Sequence, residues 1–284
     1  MAINFRSNTI IKNLRVGPLS GGGNGGGGGI DISTTNLQLY WDLGNSTSYS
    51  GTGTTITDLS GNGNDGVLTG TPTYSSAGAS SYLDWSGDNT AFATYNSTLY
   101  QDTLNVASAN EITVSNWITL TDRHSTLQNT YIGSSTDGDL TIRQFTPSND
   151  DGLMFFAEVY NSSLNTLALR HPSGNTIMPY STYGLSSSDF GNWFNFTVTA
   201  GTGYYRIYVN GIEQFNTTYD SSTYFLNRYK FAFGAMLDGY YESPSRLSTT
   251  GFSGKWGNSA VYNRALPASE VLSNYDALKS RYGY

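Results

Sequence analysis

Carboxylates are the residues of this chain that could act as an acid, a base or a nucleophile. A retaining glycoside hydrolase needs two carboxyl groups about 5–5.5 Å apart, and two acids separated by one residue on a strand share a face. None of the five glutamates has an aspartate two residues later; they are Glu111, Glu158, Glu213, Glu242 and Glu270. Such a pair would have to come from distant strands. We predict that the protein is not an enzyme.

Calcium ligation is another chemistry open to the acidic residues, since Ca²⁺ takes several oxygen ligands. Three stretches supply closely spaced oxygens: STDGDL with Asp137 and Asp139, SNDDG with Asp150 and Asp151, and DWSGDN with Asp84, Asp88 and Asn89. Asp, Asn and Gly are also typical of turns, and turns are the interpretation that we prefer. We likewise interpret Asp58 and 62–65 as shaping a loop. Calcium stays a candidate cofactor, and no other cofactor is predicted.

The histidines do not indicate a transition-metal site. His124 and His171 are the two histidines of the chain, they lie in the polar stretches TDRHST and LRHPSG, and cysteine is absent. Imidazole and thiolate are the ligands that zinc and copper prefer. We interpret both histidines as surface residues.

Aromatic side chains could bind sugars, because the apolar CH patches of a sugar pack on exposed rings. Tyr240 and Tyr241 in DGYYES, and Tyr180 and Tyr183 in PYSTYG, suit that use. A β-rich protein also needs aromatic residues for its core and for cross-strand pairs. Carbohydrate binding is therefore expected without assigned residues.

Short strands are predicted to position these residues. In EITVSNWITLTD, the apolar residues Ile112, Val114 and Ile118 recur with a period of two. NWFNFTVTAG has the same period, and Asn210-Gly211 between YYRIYV and IEQF predicts a type I′ hairpin turn. LMFFAEVY, YKFAFGAM and GKWGNSAVYNR add further strands. This spacing predicts an all-β sandwich or jelly roll.

Only the last segment of the sequence is predicted to be helical. In LPASEVLSNYDALKSRYGY, apolar residues recur at intervals of three or four, namely Val271, Tyr275, Leu278 and Tyr282. Pro267 suits a first turn, and Gly283 is typical of a helix end. A short amphipathic helix is expected to lie against the sandwich.

Composition and charge exclude several classes of protein. Charged residues are 12% of the chain, whereas glycine and tyrosine contribute 33 and 22 residues, which favours strands and turns. Residues 1–20 carry three basic residues and no acid, while the rest has a net charge of −10, which argues against nucleic-acid binding. No apolar run reaches the roughly 20 residues of a membrane span. The start does not resemble a signal peptide, so we predict synthesis in a cytoplasm.

Three zones divide the chain into an arm (1–19), a glycine-rich linker (20–29) and a body (30–284). Eight of the ten linker residues are glycine, and such a linker reaches roughly 17 Å as a coil and about 33 Å when extended. The arm is rich in apolar residues for a free tail, with Ile3, Phe5, Ile10, Ile11, Leu14 and Val16. We prefer the interpretation that a partner grips the arm; an unstructured tail is the alternative.

Two stretches resemble a known family. LQLYWDLGNSTSYSGTGTTITDLSGNGNDGVLTGTPTYSS (37–76) resembles the opening of laminin-G-like jelly rolls in the concanavalin A-like lectin/glucanase superfamily. FSGKWGNSAVYNRALPASEVLSNYDALKSRYG (252–283) is similar to the closing strand and terminal helix of that family, and YLDWSGDNTAF and YVNGIEQ lie between them in the expected order. The resemblance covers most of 31–284. It implies an all-β jelly-roll β-sandwich with a short C-terminal helix and an extended N-terminal arm.

Two departures from the family bear on activity. The closing strand often carries an acidic pair where this chain has Trp256-Gly257-Asn258, and the Glu-x-Asp-x-x-Glu or Glu-x-Asp-x-Glu motif of the glucanase branch is absent. The resemblance therefore implies binding rather than hydrolysis. Since laminin-G-like domains often hold calcium in rim loops, it also supports calcium as the candidate cofactor.

The order of the segments is similar to that of virion proteins of tailed phages, where such a jelly roll follows a glycine-rich segment. This resemblance implies a capsid decoration, head fibre or tail-associated adhesin on the virion surface. Its expected partners are other virion proteins through residues 1–29, host surface glycans, and further copies of itself in a homo-oligomer, such as a trimer. The alternatives are a glycan-degrading enzyme of the glucanase type and an inert structural cap without a ligand.

Overall fold

The computed structural model describes residues 29–85, 92–95, 111–119, 134–135, 154–156, 166–171, 174–179, 187–189, 191–201, 203–218, 232–233, 235–238, 245–251 and 254–284. They include one α-helix, α1 (Ala268–Leu278), and short 3₁₀ helices at Ser187–Asp189 and Lys279–Tyr282. The strands are β1 (Leu37–Asp42), β2 (Thr55–Ile56), β3 (Gly66–Thr69), β4 (Thr73–Ser75), β5 (Tyr82–Asp84), β6 (Phe92–Tyr95), β7 (Ile112–Thr119), β8 (Ser134–Ser135), β9 (Met154–Phe156), β10 (Thr166–His171), β11 (Gly174–Pro179), β12 (Trp193–Gly201), β13 (Tyr204–Val209), β14 (Ile212–Thr218), β15 (Ala232–Phe233), β16 (Ala235–Asp238), β17 (Ser245–Gly251) and β18 (Lys255–Tyr262).

The strands pair into antiparallel sheets. The largest sheet has the order β14-β13-β12-β7-β18-β5-β4, and β1 pairs with β18 on the same side as β5. A second sheet, β15-β6-β3-β2, contributes to the same hydrophobic core as the largest one. The strands β8 to β11 form another four-stranded sheet, and β16 pairs with β17. The fold is therefore a jelly-roll sandwich with one short C-terminal helix, as the sequence predicts.

Alternation along β7 and β12 decides which side chains enter the core between the sheets. Val114 and Ile118 of β7 are paired in register with Val198 and Phe194 of β12. All four are buried in the core between the two sheets, which we call the inner core. The predicted period of two is confirmed. Trp117, on the opposite face of β7, is buried too, with 1% exposed, because the outer face of the sheet is also covered.

Tryptophan side chains fill the centre of the inner core. Trp41, Trp85 and Trp256 are fully buried, and Phe233 of β15 stacks on Trp256 with ring centroids 4.4 Å apart. Each aromatic side chain of this size buries roughly 150–250 Å². Because Phe233 and Trp256 belong to different sheets, their contact ties the two layers of the sandwich together.

Helix α1 covers the outer face of the largest sheet, which confirms the prediction from its spacing. Val271, Leu278 and Tyr282 are buried in a second core between the helical segment and the outer face of the sheet, which we call the outer core. Tyr275 and Tyr282 stack on Trp117 of β7, with ring centroids 5.5 and 4.3 Å away. The helix is therefore held by aromatic stacking as well as by aliphatic packing.

Local predictions at a turn and at both helix ends are confirmed as well. Asn210 and Gly211 have φ values of 53° and 75°, and the type I′ turn requires both to be positive. Pro267 immediately precedes α1. Gly283, with a φ of 91°, ends the 3₁₀ turn that follows the helix.

A buried ion pair fastens the end of the helical segment to β1. Arg281 Nη1 donates to Asp42 Oδ2 at 2.7 Å, and Nη2 donates to Asp31 Oδ2. Asp42 is 1% exposed, and its Oδ2 also accepts from the Tyr40 hydroxyl at 3.0 Å. Arg281 therefore neutralises a carboxylate that has almost no access to water.

The start of α1 holds the segment before β1. Arg264 Nη1 donates to Glu270 Oε1 at 3.0 Å, and the Ser33 hydroxyl donates to Glu270 Oε2 at 3.2 Å. The bond from Arg264 lowers the pKa of the Glu270 carboxyl. The Ser33 amide donates to Asn274 Oδ1 at 2.9 Å. Together with the Arg281–Asp31 pair, these bonds form what we call the clasp, which holds residues 31–33 along α1.

Alkaline pH is expected to destabilise this outer layer. Burial raises the pKa of Tyr40, Tyr262 and Tyr282 above the ordinary value of 10. Since the unfolded chain ionises near pH 10, the stabilisation is complete below that pH and is lost as the pH rises above it. Denaturant titrations between pH 8 and pH 12 should show a falling free energy of unfolding, with a shallower fall in Tyr282→Phe. Equal slopes in both proteins would contradict the role of Tyr282.

Several sequence predictions lie outside the described residues. They concern the arm 1–19, linker residues 20–28, and the side chains of His124, Glu158 and Glu242, together with a group of calcium and sugar candidates: Asp88, Asn89, Asp137, Asp139, Asp150, Asp151, Tyr180, Tyr183, Tyr240 and Tyr241. The backbone of His171 ends β10. In the part of the chain that is described, no helix has the length and apolar character needed to cross a bilayer.

Candidate functional site

The acidic loop at 58–65 is closed by its own hydrogen bonds. Asp58 Oδ1 accepts from the amides of Tyr40 and Ser60 at 2.8 and 2.9 Å, and Oδ2 accepts from the Asn64 amide at 2.9 Å. Asp65 Oδ1 accepts from the Asp58 amide at 2.8 Å. The prediction that these residues shape a loop is confirmed.

The glutamates that the structure describes hold structural partners. Glu111 Oε2 accepts from the Ala265 amide at 3.2 Å, and Glu270 belongs to the clasp. Glu213 Oε2 accepts from the Tyr208 hydroxyl at 3.3 Å and lies 3.8 Å from Arg206 Nε. These contacts fix the ends of strands and of α1.

Metal ligands do not cluster within the described ranges, where no group of three or more His, Cys, Asp or Glu side chains could hold an ion. Asp84, the calcium candidate that the structure does describe, is the last residue of β5. Its Cα partners are Lys255 on one side and Thr73 on the other. It lies on a sheet surface rather than in a loop.

Four half-buried side chains meet on the outward face of the largest sheet, at the end where the Asn210-Gly211 turn faces Asn195 of β12. We call this surface the aromatic shelf; it consists of Tyr82, Asp84, Trp193 and Lys255. The rings of Tyr82 and Trp193 make an edge-to-face contact with centroids 5.6 Å apart. Lys255 Nζ lies 5.0 Å from the Tyr82 ring centroid.

Strand register brings the shelf together from distant parts of the sequence. Trp193 of β12 pairs with Thr119 of β7, and Thr119 Oγ1 accepts from the Lys255 amide at 2.9 Å. Lys255 of β18 pairs with Asp84 of β5, and Tyr82 lies two residues before Asp84 on the same face. One row therefore crosses β12, β7, β18 and β5.

The outer core supports the shelf from below. The Trp193 ring packs on Tyr282 at a centroid distance of 4.7 Å, and the Trp193 carbonyl accepts from the Tyr284 hydroxyl. The contact with Tyr282 restricts the Trp193 ring, and the bond from Tyr284 holds its backbone, before any ligand arrives, which lowers the ordering cost of binding.

The shelf has the chemistry of a surface that contacts polar ligands with apolar patches. Partly exposed aromatic rings give apolar contact area with a polar tip. An ammonium and a carboxylate beside them can donate to and accept from hydroxyl groups. The sequence singled out tyrosine pairs elsewhere and missed Trp193 and Tyr82, although both stand at outward positions of alternating strands.

Comparison with known proteins agrees with the fold. A family model described as the concanavalin A-like lectin/glucanases superfamily matches residues 86–272. This match begins later than the resemblance at 37–76 but includes the middle of the chain. A comparison with curated protein sequences gave no match.

Three solved structures illustrate the likeness. Domain 4 of AbnA, a GH43 extracellular arabinanase from Geobacillus stearothermophilus in complex with arabinotriose, is 16% identical, with 84% of this chain and 98% of that chain covered and a TM-score of 0.52. Botulinum neurotoxin type C, whose cell entry is dependent upon interaction with two ganglioside molecules, is 15% identical. The match covers 86% of this chain and 52% of that chain, with a TM-score of 0.57. Trypanosoma rangeli sialidase in complex with the inhibitor DANA is 13% identical. The match covers 84% of this chain and 32% of that chain, with a TM-score of 0.54.

These likenesses concern the fold alone, because the identities are low. The chain spans nearly all of the arabinanase domain, about half of the neurotoxin chain and about a third of the sialidase. The family model carries more weight, since it matches well over half of the sequence with a description that agrees with the two-sheet architecture. The chain belongs to the concanavalin A-like lectin/glucanase superfamily.

Proposed function

We propose that this chain is a phage virion protein whose jelly roll contacts glycans without cleaving them. The observation that carries the glycan part is the aromatic shelf, in which Tyr82, Trp193, Lys255 and Asp84 share one outward surface. In solved structures with a similar fold, an arabinanase domain is in complex with arabinotriose, and a neurotoxin interacts with gangliosides. Membership of a lectin/glucanase superfamily supports the same ligand class.

The order of the segments supports a place on a particle. An apolar, basic arm and a glycine-rich linker precede the jelly roll, and a linker of this length holds a domain well away from its anchor. In this proposal the arm is anchored among other virion proteins, and the jelly roll faces outward as a decoration, head fibre or tail-associated adhesin. The protein is made in the host cytoplasm and assembles as a homo-oligomer, for which a trimer is the first candidate.

Catalysis is not part of the proposal. The Glu111 carboxylate accepts a hydrogen bond from a backbone amide, and the Glu270 carboxylate accepts one from Arg264. The lysine and aspartate of the shelf come from neighbouring strands and are matched in charge. We therefore assign non-covalent binding to the shelf, with hydroxyl groups of a glycan as the partners of Lys255 and Asp84.

Trp193→Ala is expected to weaken glycan binding at least about 30-fold, the effect of losing roughly 2 kcal/mol from a tryptophan at the centre of an interface. The measurement is a glycan-array screen of the full chain, followed by titration of the best ligand against the variant. Leu272→Ala, an exposed change on α1 outside the shelf, is the matched control and should bind normally. Equal binding by both variants would refute the shelf as the site.

Removal of residues 1–28 is expected to abolish incorporation into particles while leaving the jelly roll folded, because the inner and outer cores lie within the described body. The test compares purified particles made with each form, using immunogold labelling to locate the protein and circular dichroism to check folding. Normal incorporation of the shortened chain would overturn the anchoring role.

A further inference from the structure

Exposed apolar side chains gather at one place on the described surface. Ile212 is 62% exposed, Leu272 43% and Tyr284 51%, and these three are the exposed large hydrophobic residues among the side chains that the structure describes. Monomeric proteins scatter such residues singly, and grouped ones mark interaction surfaces. The grouping therefore indicates a surface that another segment or molecule covers.

These three residues are neighbours around the Asn210-Gly211 turn. A Cβ built on Gly211 would lie 3.0 Å from Leu272 Cδ1 and 3.1 Å from Tyr275 Cβ, so the turn packs directly on α1. Ile212 follows Gly211, and the Tyr275 and Tyr284 rings are 5.9 Å apart. We call Ile212, Leu272, Tyr275 and Tyr284 the end patch.

The path of the chain leads residues 1–28 close to the end patch. Ser33 is hydrogen-bonded to Asn274, and Asp31 to Arg281, so this segment is antiparallel to α1. Followed backward from Ser33 to Asp31, the chain therefore approaches the C-terminal end of α1. The end patch lies on the other flank of that helix, about one helix diameter away, or roughly 10 Å. The nine residues 20–28 reach about 30 Å when extended. The arm can therefore contact the end patch of its own chain.

Charge favours the same contact. The arm carries Arg6, Lys12 and Arg15 and no acid. Carboxylates border the end patch at Glu213, Asp276 and Asp189. Burial raises the pKa of Tyr284, and the nearby charge of Asp189 adds to this shift. The cations beside them are Arg206, 3.8 Å from Glu213, and Lys279, 2.7 Å from Asp276. Three acids against two bases leave the border acidic, and the body as a whole carries a large negative charge.

We propose that residues 1–19 dock on the end patch of their own chain when the protein is outside a particle. The apolar residues of the arm cover Ile212, Leu272 and Tyr284, and its basic residues face Glu213 and Asp276. Tethering by a short linker gives the arm an effective concentration near the millimolar range. The inference goes beyond the proposed function, since it concerns the free protein and requires neither glycan binding nor a virion.

Trypsin reports the docking, because the cleavage sites in the arm are its own basic residues. Cleavage of the full chain after Lys12 and Arg15, followed by mass spectrometry, should be at least about tenfold slower than cleavage of a free peptide of residues 1–19, since the rate tracks the undocked fraction. Leu272→Asp should remove that protection. Ser273→Asp, an exposed change at the next position of α1, should keep it. Ile11→Asp should behave like Leu272→Asp.

Each outcome of this experiment decides the proposal. Equal rates for the free peptide, the unaltered chain and all variants would overturn it. Protection lost in Leu272→Asp but kept in Ile11→Asp would overturn the apolar contact that the proposal gives to the arm. Protection that grows with protein concentration, with dimers in light scattering, would assign the end patch to a second copy and overturn the intramolecular contact. Near-ultraviolet circular dichroism confirms that each variant is folded.

Discussion

Trp256→Ala is expected to lose about 3–5 kcal/mol of the free energy of unfolding, the usual result of truncating a fully buried tryptophan. Trp256 stacks on Phe233 and meets Trp85 and Trp41 at centroid distances of 5.6 and 6.1 Å. Domains have total stabilities of roughly 5–15 kcal/mol. A loss of this size removes most of the folded population in a domain at the lower end of that range.

A polar contribution adds to the cavity. Trp256 Nε1 donates to Ser259 Oγ at 2.9 Å, and Ser259 Oγ donates to Asn116 Oδ1 at 2.6 Å. Truncation leaves this buried pair with one partner fewer, and an unsatisfied buried polar group costs about 1–3 kcal/mol. The two effects act at the same position, so water entering the cavity would offset part of the second.

The control for this prediction is Trp193→Ala, which removes the same atoms from a half-buried position on the outer face. Urea titrations followed by far-ultraviolet circular dichroism measure both variants. We expect the Trp193 variant to lose less than half as much as the Trp256 variant. Similar losses would contradict the view that the contact between the two sheets is centred on Trp256.

Arg281→Ala is expected to cost about 3–5 kcal/mol, because it leaves Asp42 as an unpaired buried carboxylate. The side chains of Arg281 and Asp42 are 16% and 1% exposed, and their atoms are 2.7 Å apart. The Tyr40 hydroxyl and the Gly44 amide still donate to Asp42, but neither carries a charge.

Lys279→Ala supplies the matched control, since Lys279 lies in the same 3₁₀ turn and pairs with Asp276 at the surface, with exposures of 40% and 49%. Exposed pairs of this kind contribute about 0–1 kcal/mol. Adding Asp42→Asn to Arg281→Ala should recover part of the loss by removing the uncompensated charge. A loss in Arg281→Ala no larger than in Lys279→Ala would disprove the importance of the buried pair.

Local patterns in the sequence were sufficient to predict β7, β12, the hairpin of β13 and β14, β18 and the helix. The alternation in β7, the Asn210-Gly211 turn and the spacing of Val271 and Leu278 each depend on nearby residues only. The family resemblance supplied the way these elements combine, and the match at 86–272 agrees with it.

Features that depend on pairing between distant strands could not be predicted in this way. The period of two separates the faces of β7 but does not tell that Trp117 is covered by α1. The aromatic shelf joins Tyr82, Trp193 and Lys255, which are separated by more than sixty residues at each step. Only the register of β5, β18, β7 and β12 places them together.

The clasp has a mechanical consequence for a domain that is carried on a tether. Tension applied at residue 29 reaches Asp31 and Ser33 first, and their partners Arg281, Glu270 and Asn274 are spaced along α1 and the turn that follows it. A pull along the helix axis loads these bonds in shear, so that they share the force rather than opening one after another. Strand β1, whose pairing with β18 begins at Leu37, is shielded from peeling until the clasp has yielded.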